Sequence, residues 1–128
     1  MNKEEYNQLS KIILDACITV HKEMGPGLLE SVYEFCLMKE FEIKNVKVKN
    51  KVPISLVYKN YTLDKEFYID ILVEDEIILE LKSSEKMFPV YEAQIISYLK
   101  LTKMKLGFLI NFNVPLLKDG FKRFVNNF

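Results

Sequence analysis

The pattern of apolar and polar positions divides the chain into a helical first part, a strand-rich middle and a final helix-then-strand unit. Over 6–24, Leu9, Ile12, Ile13, Ala16, Cys17 and Val20 recur at helical spacing and form one apolar stripe, which predicts a helix. Gly25-Pro26-Gly27 ends it. A second helix is predicted over about 28–43, with Leu29, Val32, Tyr33, Cys36 and Leu37 as its inner stripe. The period then changes to two. Val46, Val48 and Val52 alternate with Lys47, Lys49 and Lys51, predicting a first strand over 46–57 in which Pro53 marks an edge or a bulge. Asn60 marks the turn into the next strand. Past Ser84, Pro89 opens a predicted helix over about 90–103. Residues 106–112, LGFLINF, are apolar on both faces, as in a central strand. A strand, a helix and a strand in succession predict a right-handed crossover, which sets this strand parallel to the one carrying Glu80. The tail, 117–128, places Lys118, Lys122 and Arg123 between Phe121, Phe124 and Phe128, a pattern that fits strand or helix.

The hairpin at 67–84, FYIDILVEDEIILELKSS, carries the chemistry. Alternation places Phe67, Ile69, Ile71 and Val73 on one face and Tyr68, Asp70 and Leu72 on the other. In the second arm Ile77, Leu79 and Leu81 share a face, and Ile78, Glu80 and Lys82 share the opposite one. A loop of Glu74, Asp75 and Glu76 sets Asp70 across from Glu80, with Cβ atoms roughly 4.5–5.5 Å apart. A two-residue loop would oppose Asp70 to Leu79 instead and destroy the pair. Apolar strands rarely hold charges without partners, and one divalent cation would satisfy both carboxylates. A hairpin with a solvated polar face is the plainer reading of the same residues.

Composition narrows the classes. At 128 residues the chain is expected to be one domain over 1–128, and 49% hydrophobic with 28% charged residues is ordinary for a globular protein. Net charge is zero, so any nucleic-acid surface must be local. Cys17 and Cys36 lie in apolar helical patterns without metal-type spacing and read as buried thiols of a reducing compartment. A charged, polar start gives no signal peptide, and no apolar run approaches membrane-spanning length; the expected location is cytoplasmic, with no membrane partner. His21, the one histidine, fits a partly buried helix-end residue better than a ligand. The Lys47, Lys49 and Lys51 stripe reads as a solvated edge or as a contact for a phosphate backbone. Glu30, in a first helical turn, is favoured by the helix dipole and projects to the same side as Tyr33.

Asp70 with Glu80-Leu81-Lys82 resembles the PD-(D/E)xK motif, and the order helix, three strands, helix, strand resembles the αβββαβ core of restriction-endonuclease-like nucleases. Gln94-Ile-Ile-Ser-Tyr98 resembles the QxxxY motif of the RecB-like branch. Gly27-Leu-Leu-Glu30-Ser-Val-Tyr33 resembles the signature of the GxxExxY family within that superfamily. Ile69 stands where the nominal motif has proline. The resemblance implies an α/β fold, a mixed central sheet flanked by helices with an extra N-terminal helix. It implies a Mg- or Mn-dependent phosphodiesterase acting on nucleic acid, DNA first. Asp70, Glu80, the Leu81 carbonyl and Glu30 are the implied metal ligands, Lys82 contacts the attacking water or the scissile phosphate, and Gln94 and Tyr98 orient the site. The alternatives are a non-catalytic module of the same fold that binds nucleic acid or protein, and a subunit active only in a larger complex. A homo-oligomer or a protein partner is left open.

Overall fold

In the computed structural model, which describes residues 1–64 and 67–128, the first helix, α1 (Lys3–Met24), opens with a reciprocal cap. The Asn2 side chain accepts from the Glu5 N–H while the Glu5 carboxylate accepts from the Asn2 N–H. α2 (Glu30–Ile43) follows the glycine turn. Then come β1 (Val48–Tyr58), β2 (Tyr61–Val73), β3 (Ile77–Lys82), α3 (Pro89–Thr102) and β4 (Leu106–Asn111). The tail left open by its pattern is a short 3-10 segment, Leu117–Gly120, followed by a strand, β5 (Phe121–Val125).

The five strands form one mixed sheet in the order β1-β2-β3-β4-β5. β3 and β4 are parallel, as the α3 crossover between them requires, and the other neighbours are antiparallel. Two apolar cores sandwich the sheet. On one face α1 and α2 bury Ile13, Cys17, Tyr33, Leu37 and Phe41 against Ile71, Leu79, Leu81, Phe108 and Ile110. On the other face α3 buries Ile95, Tyr98 and Leu99 against Ile54, Ile69, Leu72, Ile78 and Leu109. This is the restriction-endonuclease-like α/β architecture, with α1 and β5 added to the αβββαβ core. Among the described residues, no helix is long and apolar enough to cross a membrane.

One face assignment made from alternation is corrected. Ile69 does not share a face with Ile71 and Val73; it packs in the α3 core with Leu72, whereas Ile71 and Val73 pack in the other. The alternation therefore breaks at Asp70. β1 breaks at the matching place: Val48 packs toward α1 and α2, while Val52 and Ile54 pack toward α3. Between them Lys51 has φ 52°, a left-handed conformation that interrupts the pleat. Asn50 pairs with Ile71 and Val52 with Ile69, so Lys51 lies across from Asp70 and both strands turn over at one line. β2 pairs with β3 only over Ile71–Val73, so beyond that line the β1–β2 hairpin runs on as a two-stranded arm above α3.

Candidate active site

The three-residue turn Glu74-Asp75-Glu76 fixes the register, with Val73 paired to Ile77 and Ile71 to Leu79. Asp70 and Glu80 are the next opposing residues, and at them the ladder gives way to side-chain contacts. The Asp70 N–H donates to Glu80 Oε1 at 3.3 Å. The Leu81 N–H donates to Asp70 Oδ2 at 2.8 Å. The Asp70 carboxylate thus reaches edgewise to the β3 backbone at the point where the strands part.

Glu80 is held from water and Asp70 is half-buried. Glu80 is 5% exposed, beneath the α3 layer with Ile78 and Leu109. Burial, and then the neighbouring Asp70, push its carboxyl up from 4.5 to about 9. Asp70 is also raised, first by burial, and the Leu81 N–H opposes that rise by stabilising the charged form. Glu34 and Glu30 add negative charge that raises Asp70 further, while Lys82 lowers both acids. Burial and the repulsion of two close carboxylates favour a proton on the pair, and the Lys82 ammonium opposes them.

The supporting residues arrive from two sides. α3 supplies Tyr91, Gln94 and Tyr98. The Lys82 ammonium lies 4.4 Å from the centre of the Tyr91 ring. Gln94 Nε2 donates to the Tyr98 hydroxyl at 2.9 Å. Tyr98 is raised by its burial and then by the Glu80 charge, which places it beside the acids. α2 brings Glu30 and Glu34 from the opposite layer, so Glu30 does not share a sheet face with Gln94 and Tyr98. Glu30 and Glu34 come near enough to raise Asp70, and Gln94 joins through Tyr98.

The Gly25-Pro26-Gly27 turn positions Glu30. Gly25 and Gly27 have φ 72° and 91°, a region that residues with a Cβ adopt only under strain. The Tyr33 hydroxyl donates to the Gly25 carbonyl at 2.5 Å and accepts from the Leu28 N–H at 3.1 Å. The Tyr33 ring stacks on Phe112 at 4.3 Å. Ser83 Oγ donates to the Leu28 carbonyl, tying the turn to the residue after Lys82.

Three contributors escaped the sequence reading. Glu34 lies one helical turn after Glu30, a spacing that could have flagged it; it accepts from Lys51 Nζ at 2.8 Å and from Asn50 Nδ2 at 3.1 Å. Tyr91 carries Lys82. Asn111, 4% exposed, accepts from the Ser84 N–H and donates to the Ser84 carbonyl, clamping the chain that leaves Lys82.

Other candidate residues stand elsewhere or are engaged. Lys47 and Lys49 both pair with Asp75 at the β2–β3 turn, and Lys51 pairs with Glu34, so the three lysines do not form one free stripe. His21 is buried at the end of α1, with Nε2 2.8 Å from the Val114 carbonyl, which it reaches as the donor tautomer. Among the described residues, no group of three or more His, Cys, Asp or Glu is arranged to hold a metal ion by itself. An ion here would rest on two carboxylates plus backbone, water or substrate oxygens, the donor set of Mg²⁺ or Mn²⁺.

No curated protein and no solved structure matches the chain. A family model described as the PD-(D/E)XK nuclease superfamily matches residues 7–124, from within α1 to within β5. Proteins of that superfamily generally use divalent metals and act on nucleic acid. With Asp70 and Glu80-Leu81-Lys82 at the parting of β2 and β3, the chain belongs to the PD-(D/E)XK nuclease superfamily.

Proposed function

We propose that the chain is a metal-dependent nuclease that hydrolyses DNA phosphodiester bonds. The observation that carries this reading is the meeting of half-buried Asp70 with buried Glu80 where β2 and β3 part, with both acids raised and the Lys82 ammonium close enough to lower them. A solvated structural hairpin would leave these acids near their ordinary range. The donor chemistry fits Mg²⁺ or Mn²⁺: Asp70, Glu80 and the Leu81 carbonyl would hold the ion, and the negative charge of Glu30 near Asp70 would tune the site. When bound, the ion supplies charge against the reacting phosphate and promotes ionisation of the attacking water.

The remaining roles belong to this chain's own groups. Lys82, steadied on Tyr91, contacts the attacking water or a scissile phosphate oxygen and offsets developing negative charge. Tyr98, held by Gln94, orients the site beside Glu80 and touches the substrate backbone. Lys51, opposite Asp70, reaches a phosphate by leaving Glu34; Lys47 and Lys49 would do so by leaving Asp75. Unpaired Cys17 and Cys36 accord with a reducing cytoplasm. The GxxExxY and RecB-like resemblances belong to the same reading, resting on Glu30, Tyr33, Gln94 and Tyr98.

The test is cleavage of labelled single-stranded DNA, duplex DNA and RNA with Mg²⁺ or Mn²⁺, using Lys82→Ala as control. Metal-dependent cleavage lost in Lys82→Ala supports the reading. A folded wild-type protein that binds nucleic acid and cuts none of the three would instead be a binding module or a subunit awaiting a partner.

A further inference from the structure

Beyond Asp70 the β1–β2 arm overhangs α3 and leaves a groove of about 490 Å³ between them. Leu56 and Phe67 form the roof. Gln94, Ser97, Tyr98 and Leu101 form the floor, at helical spacings that bring one stripe of α3 to face the arm. Lys100 stands at the edge. Phe67 and Tyr98 meet edge to face, with ring centres 6.4 Å apart. Phe67 is 36% and Leu101 44% exposed, so the groove opens to solvent with apolar walls.

Tyr98 links the groove to the carboxylate site. With Gln94 it lines the groove, and its ring packs in the same α3 core as Ile78 and Leu109, the residues that flank Glu80 on β3 and β4. A phosphodiester placed at Asp70, Glu80 and Lys82 would carry a nucleoside on either side, and Tyr98 is the residue such a nucleoside would share with the groove. Size suits a small planar ligand. Aromatic walls offer stacking to any base, and the Gln94 amide offers both donors and an acceptor. A paired base inside a duplex cannot enter beneath the arm without leaving its stack.

We propose that this groove takes the unpaired base next to the scissile phosphate, so that the enzyme prefers single-stranded or frayed ends over continuous duplex. The inference rests on the nuclease reading above and adds the strand preference and the residues that set it: Phe67, Leu101 and Ser97. None of these three belongs to the carboxylate site. A second copy of the chain laid on the same apolar walls is the competing occupant.

The experiment measures binding and metal-dependent cleavage of a short single-stranded DNA and its duplex, with 2-aminopurine placed beside the cleaved bond. Wild type is compared with Phe67→Ala, which removes a wall, and Ser97→Trp, which fills the groove from an exposed helix position. Expected are quenching of 2-aminopurine on binding the single strand, and a loss of single-strand affinity of roughly 5- to 150-fold in either variant, the worth of one stacked base. Duplex affinity should change less than about twofold, since binding through the phosphates is indifferent to stacking. Ser97→Trp keeps the test alive should Phe67→Ala fold poorly. Equal cleavage of both substrates by wild type and Ser97→Trp would overturn the groove assignment and leave the nuclease reading standing. Absence of any Lys82-dependent cleavage would remove both. A dimer in solution that Ser97→Trp splits into monomers would assign the groove to a second copy and overturn the proposal.

Discussion

The Leu81 N–H donates to the Asp70 carboxylate at 2.8 Å, a side-chain contact made where the β2–β3 ladder ends. The bond anchors one acid to the strand that carries the other, and it stabilises the charged form of Asp70 against the cost of burial. Beside it Glu80 has no such help beyond the weaker 3.3 Å contact from the Asp70 N–H. The two acids are thus unequal: burial raises both, and Asp70 has the stronger hydrogen bond holding its charged form.

That inequality gives a pH dependence. Glu80 titrates at 4.5 ordinarily and at about 9 when folded. Below about 4.5 both states bind the proton, and the full stability is present. As pH rises from there toward 9, the unfolded chain releases the proton and the fold does not, so stability is lost across that window. Asp70, also raised, acts in the same direction. The unfolding free energy of the metal-free protein should fall by up to about 1.4 kcal/mol per pH unit for the one proton on Glu80, its melting temperature should fall with it, and Glu80→Gln should flatten the slope.

Metal reverses the trend. An ion that binds the charged pair in the fold and hardly binds the unfolded chain stabilises by roughly 2.7 kcal/mol at a hundredfold excess over its dissociation constant. Binding should expel a proton, so the melting-temperature rise with Mn²⁺ or Mg²⁺ should grow with pH toward 9. Asp70→Asn should abolish most of that rise, and by removing the repulsion it should also raise the melting temperature of the metal-free protein.

Lys82→Ala separates binding from chemistry. The ammonium sits on Tyr91 and repels any cation at the acids. Its loss should lower cleavage about 100- to 1,000-fold. The metal-dependent melting shift should persist unchanged or larger. Calorimetry and a cleavage assay on one preparation check both halves.

Tyr33→Phe tests the glycine turn. It removes a hydroxyl that serves the Gly25 carbonyl and the Leu28 N–H while keeping the ring stacked on Phe112. Leaving these backbone groups without that partner should cost about 1–3 kcal/mol in denaturant unfolding. Cleavage should fall as well, because the same turn positions Glu30.

Much of this was legible in the residues. Seven of the elements, α1, α2, β1, β2, β3, α3 and β4, follow from the pattern of residues, and the three-residue turn 74–76 sets the opposition of Asp70 and Glu80 by counting. Local pattern could not reveal the break in alternation at Asp70. It depends on a left-handed lysine on the neighbouring strand, and Lys51 is not a residue type that announces positive φ. The same gap hid the groove, since an arm that crosses from one core to the other cannot be read from a period of two. Glu34 was hidden because its partners, Asn50 and Lys51, come from a different element. β5 stayed ambiguous in sequence because its five residues carry too few apolar positions to decide between periods.

The most direct measurement is anomalous diffraction from crystals of wild type and Asp70→Asn soaked in Mn²⁺. The account predicts an ion bound between Asp70 and Glu80, within about 2.0–2.3 Å of a carboxylate oxygen from each, and its loss in Asp70→Asn. Manganese found only at surface acids such as Asp75, with Asp70 still bonded to Leu81 and Glu80 still buried beside it, would contradict it.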